Sequence, residues 1–137
     1  MQSIITGPRV LIVEDEALVG RELKASLQEM GCRVCALVAS GEEALAELRQ
    51  NQADVVIMDI VLRGRMDGIE TAQAIRKGWG IPVVFLTAYA DEGLRDLALM
   101  ARPAALLYKP VTAARLLQTI GEALAPDDPH QPSLFPA

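Results

Sequence analysis

Five side chains stand where chemistry could be done, and each lies just beyond an apolar run. Asp59 ends Val55-Val56-Ile57-Met58, the pair Glu14-Asp15 follows Val10-Leu11-Ile12-Val13, Thr87 follows Val83-Val84-Phe85-Leu86, and Lys109-Pro110 follows Leu106-Leu107-Tyr108. Such runs read as buried strands, and in a parallel sheet their ends share one edge, where open α/β folds build their sites. Three carboxylates, a hydroxyl and a lysine would then meet in one pocket. Two like charges 4 Å apart repel by ~4 kcal/mol at an effective dielectric of 20, so the pocket requires a cation or raised carboxyl pKa values. Mg²⁺ takes few carboxylates plus waters and phosphate oxygens, and an ionised aspartate is already a nucleophile that needs no base. The set therefore suits Mg²⁺-assisted phosphoryl transfer to Asp59, with Lys109 neutralising oxygens on the side away from the metal. Taken singly, each residue is ordinary. A strand-end Asp usually caps a turn, Lys-Pro usually starts a loop, and the Thr87 hydroxyl can bond its own backbone. Their convergence on one sheet edge carries the reading.

Five apolar strand candidates, 10–14, 33–38, 54–58, 83–87 and 104–108, alternate with five amphipathic segments. Val19, Leu23, Leu27 and Met30 recur at helical spacing, with Gly31 as the stop. Ser40-Gly41-Glu42-Glu43 reads as a capping box opening a helix that carries Ala44, Leu45 and Leu48. Ile69, Ala72 and Ile75 mark a third helix ending near Lys77 or Gly78. Asp91 caps a fourth with Leu94, Leu97 and Ala98 inward, and Thr112 caps a fifth that buries Leu116, Leu117, Ile120 and Leu124. Strict alternation with right-handed crossovers predicts an α/β fold: a three-layer doubly wound sandwich, flavodoxin-like, with a five-stranded parallel sheet of order 2-1-3-4-5. That order sets strands one and three side by side and brings Glu14, Asp15 and Asp59 together. The division expected is a lead-in over 1–8, one domain over 9–124 and a disordered Pro-rich tail over 125–137.

A length of 137 residues fits one domain with its own core. The net charge of −5 argues against a nucleic-acid surface, and no apolar run approaches the length of a membrane helix. No secretion signal precedes Pro8, so the expected location is the cytoplasm. Cys32 and Cys35 have C-x-x-C spacing, but a strand points them to opposite faces and no second Cys or His pair completes a zinc site, so they read as reduced structural thiols. His130 falls in the tail.

Glu14-Asp15, Asp59, Asp67-Gly68, Thr87-Ala88 and Lys109-Pro110, in this order and each at its strand end or loop, resemble the receiver domains of two-component response regulators over roughly residues 8–124. The resemblance implies that Asp59 accepts a phosphoryl group from a sensor histidine kinase or phosphotransfer protein. It implies Mg²⁺ held by Asp15, Asp59 and the Val61 backbone carbonyl, with Glu14 acting through water. Lys109 would pair with a phosphoryl oxygen, and a cis Lys109-Pro110 bond would aim it inward. The Thr87 hydroxyl would swing toward the phosphate. Output would pass to an unknown downstream protein, or to a second copy in a homodimer, across a face that includes Arg95, Arg102, Gln118 and Glu122. Such a domain signals; it catalyses only its own modification.

The sequence departs from the family pattern in places. The loop after Asp59 is one residue longer than the commonest form and has Arg63 where proline is usual. Leu106 stands where the family carries the aromatic that rotates with the Thr87 movement, and Tyr108 sits directly before Lys109, so weak coupling between phosphorylation and the output face is expected. Val61 and Tyr89 are poor at orienting water, so slow dephosphorylation is expected. The alternative function is a receiver that binds partners without being phosphorylated, which the complete acidic, Thr and Lys set argues against. A haloacid dehalogenase-type phosphatase would need an acid at Ala17, and a flavodoxin-like nucleotide binder a phosphate loop where Glu14-Asp15-Glu16 would repel phosphate. In the tail, Gln131-Pro132-Ser133-Leu134-Phe135 is similar to peptides that dock on the bacterial sliding clamp.

Overall fold

Strands that are apolar at every position need cover on both faces, and five helices supply it. A computed structural model describes residues 7–125, so most of the lead-in and all of the tail after Ala125, with His130 and the Gln131–Phe135 motif, lie outside the described residues. The elements run β1 (Arg9–Val13), α1 (Ala17–Glu29), β2 (Arg33–Val38), α2 (Gly41–Gln50), β3 (Val55–Met58), α3 (Gly68–Trp79), β4 (Val83–Thr87), α4 (Glu92–Met100), β5 (Ala105–Tyr108) and α5 (Ala113–Leu124). The strands form one parallel sheet of order β2-β1-β3-β4-β5, the expected doubly wound arrangement. No described helix is long and apolar enough to cross a membrane.

β1, β3 and β4 are buried along nearly their whole length, and their side chains divide between two core clusters by strand alternation. Leu11, Val13, Val56, Met58 and Phe85 meet Ala44, Leu48, Ala72 and Ala98 of α2, α3 and α4 on one face. Val10, Ile12, Ile57, Val84 and Leu86 meet Leu27, Leu116 and Ile120 of α1 and α5 on the other. Two expected core positions lie outside it: Leu97 is 56% exposed and Leu124 38%. α4 gives the sheet only Ala98 as a fully buried side chain, because a helix so short packs on a narrow stripe. Leu124 lies on the last turn of α5, beyond the reach of the sheet.

Capping explains where the helices begin. Asp91 and Thr112 accept from the backbone N–H of Leu94 and Arg115 at 2.8 and 3.1 Å, as expected. Ser40 accepts from the Glu43 N–H, but the Glu43 carboxylate accepts in return from the N–H of Ala39, not of Ser40, so the box is displaced by one residue. The complete box opens α3 instead: Asp67 accepts from Glu70 N–H at 2.8 Å and Glu70 from Asp67 N–H at 3.1 Å. α3 runs to Trp79, further than expected, and stops at Gly80, whose φ of 68° suits a left-handed cap. In β2 the register with β1 slips between Val34 and Ala36, leaving Cys35 unpaired in the ladder. Cys32 precedes the strand and is buried, Cys35 is exposed, and both are free thiols.

β1 ends one residue earlier than expected, yet backbone bonding continues just past the strand ends. Glu14 N–H donates to Val38 O at 3.0 Å, Asp59 N–H to Val13 O at 3.2 Å and Lys109 N–H to Thr87 O at 2.8 Å. These three bonds fix the acidic and basic positions at one height on the sheet edge. Gly68 then lets α3 approach β3, since a Cβ there would collide with the Asp59 carbonyl and come within 2.6 Å of Ile60 O and 2.8 Å of Ile60 Cα. Gly68→Ala is therefore expected to lower unfolding free energy in urea by about 1–3 kcal/mol, as overpacking against backbone does. A wild-type midpoint would show that this approach has slack.

Candidate functional site

Lys109 stands at the centre of the sheet edge. Its ammonium donates to Oε1 of Glu14 at 2.7 Å and to Oδ2 of Asp59 at 3.3 Å. Both carboxylates are buried, Glu14 at 5% exposure and Asp59 at 8%, and such groups are tolerated only when paired. Their outer oxygens are also satisfied: Oε2 of Glu14 accepts from Glu16 N–H at 3.1 Å, and Oδ1 of Asp59 from Val61 N–H at 3.2 Å. The Lys109–Pro110 peptide bond is cis.

Burial works to lower the Lys109 pKa, and this is outweighed by its hydrogen bond to Glu14 and by the charges of Asp59 and Glu14. The net result is a value above that of an ordinary lysine. Sequence reasoning misses the Lys109–Glu14 contact, because it assigns Glu14 to a metal through water and Lys109 to a phosphoryl oxygen. Glu14 and Lys109 follow β1 and β5, which β3 and β4 separate, so their contact is visible only once strand order and the reach of a lysine are known.

Asp15 behaves differently from its neighbour. Its Oδ2 accepts from Arg63 N–H at 3.3 Å, with the Arg63 Nε at 3.7 Å. Arg63 is the residue standing where the family has proline, which has no N–H to give. The longer loop is held in turn by Glu42, which accepts from Met66 N–H at 2.7 Å. The three carboxylates are divided between two sets of partners, Glu14 and Asp59 on Lys109 and Asp15 on Arg63. Among the described residues no group of three or more His, Cys, Asp or Glu lies close enough to hold a metal ion as it stands. Lys109 pairs with two of the carboxylates and the Arg63 N–H bonds the third, which reduces the mutual repulsion without cancelling the negative charge.

Thr87 is fully buried, and its Oγ1 accepts from Tyr89 N–H at 3.3 Å, leaving the hydroxyl proton for another acceptor. Tyr89 and Val61 flank the site, 55% and 41% exposed. Leu106 pairs with Phe85 across the β4–β5 ladder and packs half-buried on the Phe85 side of the sheet. Tyr108 pairs with Thr87 itself and is 39% exposed, so the nearest ring on β5 lies beside the hydroxyl and not one pleat behind it. Arg95, Gln118 and Glu122 are exposed on α4 and α5, whereas Arg102 lines a groove with Ile81 and Pro82, at the start of β4 and so at the opposite sheet edge.

Removing the cation tests this geometry. Lys109→Met is expected to cost about 1–3 kcal/mol, less than loss of a fully buried pair because Lys109 keeps some contact with water. A lysine pKa raised by folding adds stability that is complete below the unfolded value of ~10.4 and fades as pH climbs through the higher folded value. The deficit of the variant should therefore stay constant across neutral pH and shrink in alkali. Chemical denaturation at several pH values checks this, and a variant as stable as wild type at neutral pH contradicts it.

The comparisons with known proteins agree with the fold. A family model described as "Response regulator receiver domain" matches residues 10–121. The transcriptional regulatory protein PdtaR of Mycobacterium tuberculosis (strain ATCC 25618 / H37Rv) is 36% identical over 117 residues, covering 85% of this chain and 57% of PdtaR. The chain thus spans little more than half of that relative's length. AfsQ1 of Streptomyces coelicolor is 38% identical over 85 residues, covering 62% of this chain and 37% of AfsQ1. Among solved structures, the signal receiver domain of a modulated diguanylate cyclase from Desulfovibrio desulfuricans G20 superposes with a TM-score of 0.82 at 35% identity, covering 86% of this chain and 94% of that one. A CheY-like receiver domain protein from Methanospirillum hungatei JF-1 gives 0.78 at 29% identity, covering 87% and 94%. With the family model spanning most of its length and the strand order in place, this chain belongs to the receiver domains of two-component response regulators.

Proposed function

We propose that Asp59 is the phosphoacceptor of this receiver, taking its phosphoryl group from a phosphohistidine on a sensor histidine kinase or phosphotransfer protein. The observation that carries the reading is the Lys109 ammonium, 3.3 Å from Oδ2 of Asp59 and held from behind by Glu14 at 2.7 Å. A carboxylate oxygen of Asp59 forms the new O–P bond as the P–N bond to the imidazole breaks. Lys109 then meets the negative charge on the transferred group, a role that needs position more than motion. Val61 N–H, bonded to the other carboxylate oxygen, orients the nucleophile. Thr87 supplies the free hydroxyl proton that the phosphoryl oxygens would accept.

The donors at this edge fit a hard divalent ion. Glu14, Asp15 and Asp59 bring three negative charges against one lysine and the largely exposed Arg63, which leaves a net negative site made of oxygen ligands. Asp15, Asp59 and the Val61 carbonyl would hold Mg²⁺ directly, with Glu14 through water. When bound, Mg²⁺ would neutralise charge on the phosphoryl oxygens. Arg63 N–H engages only Oδ2 of Asp15, which leaves Oδ1 for the ion. The domain acts as a signalling element that catalyses only its own modification. A cytoplasmic location goes with this reading, and the two free thiols accord with it.

Two features govern how the phosphorylated domain behaves. Leu106 offers no ring to rotate, so output by the α4, β5 and α5 face is weak unless Tyr108, which faces Thr87 across the ladder, takes that part. Val61 and Tyr89 give an attacking water no acid or amide to orient it, so the acyl phosphate is long-lived. Intact mass after incubation with acetyl phosphate and Mg²⁺ tests the reading. Wild type should gain one phosphoryl mass that persists for many minutes after the donor is removed, and Asp59→Asn should gain none. Equal labelling of the variant, or decay within seconds, goes against it.

A further inference from the structure

The sheet edge opposite Asp59 holds a groove of about 350 Å³ that nothing in the phosphotransfer reading uses. Ile81, Pro82, Pro103 and Ala123 give it apolar walls, and Arg76 and Arg102 add two cations. Among the described residues neither arginine takes part in an ion pair. Arg102 sits there in an unusual conformation. It follows α4 with a φ of 52°, a left-handed position where helices ordinarily place glycine, so a long cationic side chain is kept at some conformational expense.

Ala123 lies near the end of α5, and the described chain leaves at Ala125, beside the groove. The next residues are Pro126-Asp127-Asp128-Pro129, followed by His130-Gln131-Pro132-Ser133-Leu134-Phe135. In the sequence two carboxylates thus come first after Ala125, and an apolar pair comes later. The ten residues that follow Ala125, through Phe135, can span at most ~33–36 Å, enough to turn back along an edge whose strands stand ~4.8 Å apart. Proline at every third or fourth position restricts the free chain and lowers the entropy lost on docking.

We propose that residues 126–137 dock on this groove of their own domain. Asp127 and Asp128 meet Arg76 and Arg102, and Leu134-Phe135 cover the apolar wall formed by Ile81, Pro82 and Pro103. The tail is thereby held at the far edge from Asp59. This assignment stands whether or not Asp59 is phosphorylated.

Backbone amide spectra of the full chain, of a chain ending at Ala125, and of a Leu134→Ala, Phe135→Ala double variant test it. Both changes should move the same groove signals, those of Gly80, Ile81, Ala104 and Ala123, while the rest of the spectrum stays that of the folded domain. Adding the peptide of residues 126–137 to the shortened chain at millimolar concentration, comparable to a short tether, should move them back. Arg102→Gly relieves the left-handed backbone and removes the cation, so it should release the tail without destabilising the domain. Differences confined to residues 123–125 would overturn the proposal. So would groove shifts that vanish on dilution, which would assign the tail to a second copy. A peptide that binds the bacterial sliding clamp while leaving the groove signals of the shortened chain unmoved would overturn it as well.

Discussion

One ammonium group holds two buried carboxylates at the mouth of this sheet, and the rest of the site is arranged around that balance. Glu14 and Asp59 are almost wholly removed from water, so each oxygen needs a donor and the pair needs a positive charge. Lys109 gives the charge, and the backbone N–H groups of Glu16 and Val61 supply the remaining donors. The result is a carboxylate, the proposed phosphoacceptor, whose two oxygens are already oriented beside a cation already in place. Electrostatic preorganisation of this kind requires little rearrangement when charge arrives on a transferred group.

The fold makes that balance through backbone geometry. Parallel strands β1, β3, β4 and β5 end at one height, and ladder bonds from Glu14, Asp59 and Lys109 run just past the strand ends. Gly68 allows α3 to close against β3 directly behind Asp59, and the Asp67–Glu70 box fixes where that helix starts. Packing on both faces leaves the strand ends little freedom. The charged edge is in this sense a product of the core, since the same strands that bury Met58 and Phe85 deliver Asp59 just past the end of β3 and Thr87 at the end of β4.

Much of this is readable from the residues. The apolar runs announce their own strands, strict alternation with helices leaves few topologies, and the chemistry-bearing residues all lie at run ends. Cap residues such as Asp91 and Thr112 are visible because their function is local. The features that cannot be read depend on partners distant in sequence. Glu14 and Lys109 are 95 residues apart, and their contact follows only from strand order and side-chain reach. Asp15 turning to Arg63 depends on the path of an irregular loop. Leu97 and Leu124 mislead because helical periodicity names a face without saying how far the sheet extends beneath it. The slip at Cys35 gives no warning in a strand that reads as regular.

The site depends on Lys109 and Asp59 sensing one another directly. A double-mutant cycle measures this, using urea unfolding of Lys109→Met, Asp59→Asn and the pair at neutral pH without divalent ions. Removing the carboxylate charge should make the loss of the ammonium markedly less costly, giving a coupling energy of about 1 kcal/mol or more. Strict additivity of the two single effects would mean that the lysine and the aspartate act independently, and the central interaction described here would not exist in the folded domain.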